Sequence, residues 1–153
     1  MMGTENGGAS LPGASSAVAP VTQERLKAIL DSKNWHWFID NEGDLGGIWD
    51  GNTFFFMLVG KESTILRVQG NLNRRLSMER LDEVREFILE WHRDRLWPTA
   101  AHHITDDGDL RIEIDHCIDW EHGASDAQLL QQIECTLGTG NQFFDALLER
   151  VGE

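Results

Sequence analysis

The chain has 153 residues, 41% hydrophobic and 25% charged, a balance that fits one water-soluble globular unit with a sizeable core. Asp and Glu outnumber Lys and Arg by 26 to 13, and the resulting net charge of −13 excludes nucleic acid and anionic membrane surfaces as partners. Cys117 and Cys135 are too few for a disulfide framework, no apolar run reaches the ~18 residues of a membrane helix, and the chain starts without a secretory signal pattern, so a cytoplasmic location is expected.

Residues 1–20 are rich in Gly, Ala, Ser and Pro, which predicts a disordered tail ahead of one domain over residues 21–151. Thr22 is placed to cap a first helix ending near Ser32, with Leu26, Ile29 and Leu30 as its apolar stripe. WHWFID then predicts a strand carrying Trp35, Trp37 and Ile39 on one face. Residues 45–59, LGGIWDGNTFFFMLV, predict two strands joined at Asp50-Gly51-Asn52, a step that supplies the positive φ of a tight hairpin. Side chains alternate along a strand, so Phe54, Phe56 and Leu58 share one face and Phe55, Met57 and Val59 the other. A strand apolar on both faces calls for two covers, and what covers the second is the functional question. Residues 64–70, with Ile65, Leu66 and Val68, complete an antiparallel meander of four strands.

After a polar loop with Asn71 and Asn73, Ser77 caps a second helix in which Leu81, Val84, Ile88 and Trp91 recur at helical spacing. Trp97-Pro98 stops it. Two strands follow, residues 100–105 and 110–119, around the turn at Asp106-Asp107-Gly108-Asp109. In the second, Leu110, Ile112, Ile114 and Ile118 point inward, and Arg111, Glu113, Asp115 and Asp119 form a wet outer face. Ser125 and Gln128 make a capping box for the last helix, whose seam runs through Leu130, Ile133, Leu137, Gly140, Phe144, Leu147 and Val151. Gly138-Thr139-Gly140 lowers helix propensity by about 1 kcal/mol per Gly, which predicts an interruption there or a close approach of another backbone, with the interruption favoured. The order is α-β-β-β-β-α-β-β-α, an α+β protein whose antiparallel β-sheet is backed by helices.

No catalytic or metal signature emerges. His102 and His103 are adjacent on a strand and so point to opposite faces, as do His116 and Cys117, and no two histidines have helical i, i+4 spacing. The acidic turns lack a complete calcium loop, the glycine pairs lack the phosphate-loop pattern, and neither cysteine is paired with a base. No enzyme activity, cofactor or metal is expected. EWHRDRLWPTA places Arg93, Arg95 and Trp97 at a helix end, where Arg complements the helix dipole and Trp anchors the helix. The same residues suit a contact point for an acidic or apolar partner segment.

Together LGGIWDGNTFFFMLVG, EWHRDRLWPTA, GDLRIEIDHCIDWEHGASDAQL and TGNQFFDAL resemble the YbjN family, described as bacterial sensory transduction regulators, and most closely its actinobacterial branch. The resemblance spans residues 22–149 and implies a type III secretion chaperone-like fold, commonly homodimeric, that binds extended segments of client proteins on apolar patches. It supplies no catalytic residues. The expectation is a non-enzymatic, homodimeric protein-binding module, with a client or regulatory protein held against the sheet face of Phe55 and Met57 or near Trp49, and Arg93, Arg95 and Trp97 at the rim. The same apolar face serves equally as the dimer interface. The alternative is a small-molecule sensor with a pocket lined by tryptophans and His102 or His103.

Overall fold

The computed structural model describes residues 17–153. In chain order these form α1 (Gln23–Ser32), β1 (Phe38–Ile39), β2 (Leu45–Trp49), β3 (Asn52–Val59), β4 (Ile65–Asn71) and β5 (Leu76–Ser77). A 3-10 turn (Met78–Arg80), α2 (Leu81–Asp94), β6 (Thr99–Ile104), β7 (Asp109–Asp119) and α3 (Asp126–Val151) follow. The seven strands make one antiparallel sheet in which β1, β2, β3 and β4 are consecutive neighbours. The long β7 takes β4 and β5 along one edge and β6 along the other.

Local chemistry explains most of the element boundaries. The Thr22 hydroxyl accepts from the Arg25 amide at the start of α1, and Ser125 with Gln128 forms the reciprocal capping box of α3. Asp50 and Gly51, at φ 54° and 81°, make the type I′ turn that matches the twist of β2 and β3. Asp40 accepts the Glu42 and Asp44 amides and closes the preceding turn.

The core lies between one face of the sheet and the helices. Phe54 and Phe56 from β3, Leu66 and Val68 from β4, and Leu110, Ile112 and Ile114 from β7 meet Phe143, Phe144 and Leu147 of α3. Burying each such side chain contributes about 1.5–3 kcal/mol. α1 and α2 flank α3 on this face, with Phe87 and Trp91 of α2 stacked against Phe143.

Several expectations are corrected. The strand expected over residues 35–40 shrinks to Phe38–Ile39, because the chain before it wraps the end of α1. There the Trp35 amide donates to the Leu30 carbonyl and the Trp37 indole to Asp31, which holds this stretch against the end of α1. A short extra strand, β5, pairs with Leu110 and Asp109 and ends on Ser77, whose side chain caps the 3-10 turn ahead of α2 and not α2 itself. The last helix runs unbroken through Gly138 and Gly140 for 26 residues, and its seam starts on Leu129 instead of Leu130. The outer face of β7 is not uniformly wet, since Glu113 is only 8% exposed. Of the segment expected to be a tail, residues 1–16 lie outside the described residues. Ala19, at its end, forms a two-bond bridge with Ala124, and Arg25 clamps the carbonyls of Ala19 and Pro20.

Candidate functional site

The alternation of β3 divides its side chains as the residue order requires. Phe54 and Phe56 are buried beneath the helices, whereas Phe55 and Met57 are half-buried on the opposite face. Among the described residues no helix covers that second face, so the second cover is not supplied by residues 17–153. Its two halves differ in chemistry.

The half built on β1, β2 and β3 is apolar. Phe38 and Phe55 meet edge to face at 5.9 Å. Gly46 lies directly beneath them, and a Cβ there would come within 2.9 Å of the Phe55 ring and 3.0 Å of the Phe38 ring. Met57, Val59 and Ile65 extend the patch along the strands, and Ile48 is 62% exposed on the same side.

The half built on β4, β6 and β7 is ionic and organised by Glu113. Its carboxylate accepts from Gln69 at 2.6 Å and from Arg67 at 3.5 Å, and it faces His103 and, at 3.8 Å, Arg111. Arg67 also forks onto one Asp115 oxygen through Nε and a terminal nitrogen, at 3.1 and 2.7 Å. A carboxylate this buried requires such donors, because an unpaired buried charge is strongly unfavourable.

The residues singled out in the sequence fall in three places. Phe55 and Met57 lie on the open face. Trp49 points to the helix side, packed edge to face against Trp35, Phe54 and Phe56 at 5.7, 6.0 and 5.6 Å. Beside it a groove of about 400 Å³ opens at the sheet edge, lined by Trp35, Trp37, Phe38, Ile48 and Trp49. Arg93, Arg95 and Trp97 sit at the end of α2, on the helix side. Arg95 stacks over the Trp91 ring at 4.4 Å, the Trp91 indole donates to the Trp97 carbonyl, and the Trp97 ring lies 5.8 Å from that of His116. Arg93 pairs with Asp94, and the neighbouring Leu96 is 88% exposed. These residues form a helix-end cluster, separate from Phe55 and Met57.

The histidines do not converge. His102 and His103 occupy opposite faces of β6, and neither lines the tryptophan groove. Burial lowers the pKa of His102, reinforced by Arg85 and His103, and burial also lowers that of His116. Both thiols are pushed up by burial, away from nucleophilic character. Among the described residues no group of three His, Cys, Asp or Glu side chains could hold a metal ion. Among the described residues no helix is long and apolar enough to cross a membrane.

The ionic residues Arg67, Gln69, Arg111 and Glu113 escaped the sequence reading as a functional group. Alternation put Arg111 and Glu113 on the outer face, but nothing in the order of residues reports that β4 lies alongside to bury the carboxylate.

A family model for YbjN, described as "putative bacterial sensory transduction regulator", matches residues 22–149. The chain belongs to the YbjN family. No curated protein matches it. Its fold is that of YbjN from E. coli, whose crystal structure describes a transcription regulator that is likewise only putative. The two superpose with a TM-score of 0.66 at 10% identity, covering 86% of this chain and 92% of the other. At that identity the likeness is one of fold, and it shows that the YbjN arrangement of helices on one side of an antiparallel sheet is present here.

Proposed function

We propose that this YbjN protein is a non-enzymatic regulatory module of the cytoplasm that acts by binding protein, in the manner of a type III secretion chaperone. The apolar half of its open sheet face closes on a second copy to form a homodimer. An extended apolar segment of a client or regulatory protein is held in the Trp49 groove, or on the Phe55 and Met57 face in place of the second copy. The helix-end cluster of Arg93, Arg95 and Trp97 offers an additional contact point.

The observation that carries this reading is the pairing of Phe38, Phe55, Met57 and Ile48 on a face that no described helix covers. Contiguous apolar surface of this kind marks association sites in soluble proteins. Sedimentation of the wild-type chain and of Met57→Glu tests it. A wild-type dimer at low micromolar concentration that becomes a folded monomer on substitution supports the reading. A wild-type monomer at high micromolar concentration rejects it.

A second reading, a small-molecule sensor, draws on the aromatic groove beside Trp49, whose size is within the range of ligand sites. An apolar ligand there would quench tryptophan fluorescence saturably and raise the melting temperature with concentration.

A further inference from the structure

At the other end of the open face lies a pocket whose chemistry runs against that of the whole chain. It has a volume of about 600 Å³ and is lined by Phe55, Gln69, Asn73, Arg74, Arg75 and Arg111. Arg74, Arg75 and Arg111 thus line one cavity in a protein whose net charge is −13.

The backbone holds them there. Asn73 accepts from the Thr53 hydroxyl, donates through its amide to the Gly51 carbonyl at 2.7 Å, and offers its backbone N–H to Asn52. This pins the β4–β5 connection to the β2–β3 turn, and Arg74 and Arg75 follow immediately. Leu76 pairs with Leu110, and Arg75, one residue ahead of that ladder, lines the same cavity as Arg111. Like charges held in one cavity repel each other.

The carboxylates nearby do not relieve that repulsion. Among the described residues Arg75 has no carboxylate within 4.0 Å, and Arg111 reaches only Glu113, at 3.8 Å, an acid already engaged by Arg67, Gln69 and His103. Arg74 is paired with Glu153 at 2.8 Å. Gln69 donates to Glu113, which fixes its side chain, and Asn71 also lines the cavity, so Arg75 and Arg111 are its charged donors without a close carboxylate.

We propose that this pocket is a binding site for a small phosphorylated molecule, with the phosphoryl group between Arg75 and Arg111 and an apolar or planar body against Phe55. Guanidinium groups match phosphoryl oxygens with paired, charge-assisted hydrogen bonds, and a dianion neutralises both charges at once. The acidic surface outside the pocket repels polyanions, which restricts the ligand to a small molecule. The pocket is complete within one chain and shares only Phe55 with the apolar half of the face, so the arginine variants test it separately from the dimer reading.

Titration of the full chain with phenyl phosphate, followed by calorimetry and amide chemical shifts, tests it. Saturable binding is expected, tighter than that of inorganic phosphate, which lacks the ring, and of benzoate, which has only one charge. Arg75→Gln and Arg111→Gln should each weaken it about tenfold or more, the loss of one or two charge-assisted hydrogen bonds. Lys61→Gln, in the remote β3–β4 turn, should leave it unchanged. Binding that does not saturate, or that Arg75→Gln and Arg111→Gln leave intact, overturns the site. Equal affinity for benzoate overturns the phosphoryl assignment. Arg75 is exposed, so its replacement tests the site without threatening the fold.

Discussion

Gly140 of α3 sits so close to Ile114 of β7 that a Cβ on the glycine would lie 2.9 Å from the isoleucine Cδ1 and 3.3 Å from the Phe54 ring. Gly70 stands across the same contact, where a Cβ would come within 2.5 Å of that ring. Phe54 and Ile114 therefore fill the space that two absent side chains leave between helix and sheet.

The two glycines of the Gly138-Thr139-Gly140 segment consequently have opposite roles. Nothing lies within 4 Å of a Cβ at Gly138, so Gly138→Ala should stabilise by up to about 1 kcal/mol through helix propensity. Gly140→Val should destabilise by about 2–3 kcal/mol, because the added branches must displace fully buried neighbours. Urea unfolding of the two variants checks both signs.

Side-chain parity along β3 predicts an equally sharp contrast. Phe54→Ala should cost about 3–5 kcal/mol, since it empties a wholly buried site. Phe55→Ala, on the open face, should cost the isolated chain about 1 kcal/mol. Chemical denaturation at a concentration where the wild type is monomeric separates the folding effect from any effect on association.

Gln132 of α3 links helix to sheet through polar atoms alone. Its side chain is 3% exposed, donates to the Leu66 carbonyl at 2.9 Å and the His116 carbonyl at 3.3 Å, and accepts from the Trp120 indole at 2.8 Å. Gln132→Leu should destabilise by about 1–3 kcal/mol, because the indole N–H loses its acceptor in a low-dielectric setting. Trp120→Phe combined with Gln132→Leu should recover part of that loss, and a double-mutant cycle in urea measures how much.

Stability should fall on mild acidification. Burial holds the His116 pKa in the folded chain below the usual histidine value of 6.5, and that of His102 likewise. The unfolded chain then binds the more protons, so the contribution is full above about 6.5 and is lost as pH falls through the lowered folded values. Thermal unfolding between pH 8 and 5 should show this decline, and His116→Gln should flatten it.

Where local chemistry suffices, the order of residues already contained the answer. Thr22 and Ser125 cap because a short side-chain oxygen beside free helical amides has one good partner, and Asp50-Gly51 turns because its φ values admit little else. The buried and open sets of β3 follow from a period of two alone. The unbroken α3 was not legible. A Gly-Thr-Gly run lowers local propensity, and only the sheet beneath it, with Ile114 and Phe54 in place, makes a continuous helix the better packed state. Trp35 and Trp37 alternate like strand residues, yet their bonds to the end of α1 prevail over that pattern.

The sequence by itself determined the α+β class, the run of strands and helices, and a Phe strand apolar on both sides, because periodicity, caps and turns act over a few residues. Only the tertiary structure decided that Glu113 is buried among Arg67, Gln69, His103 and Arg111, and that Arg75 and Arg111 line one cavity. Arg67 and Gln69 lie 46 and 44 positions before Glu113, and strand pairing that no local signal specifies brings them together. The charge of a site is written in its residues, but its shape belongs to the register of the sheet.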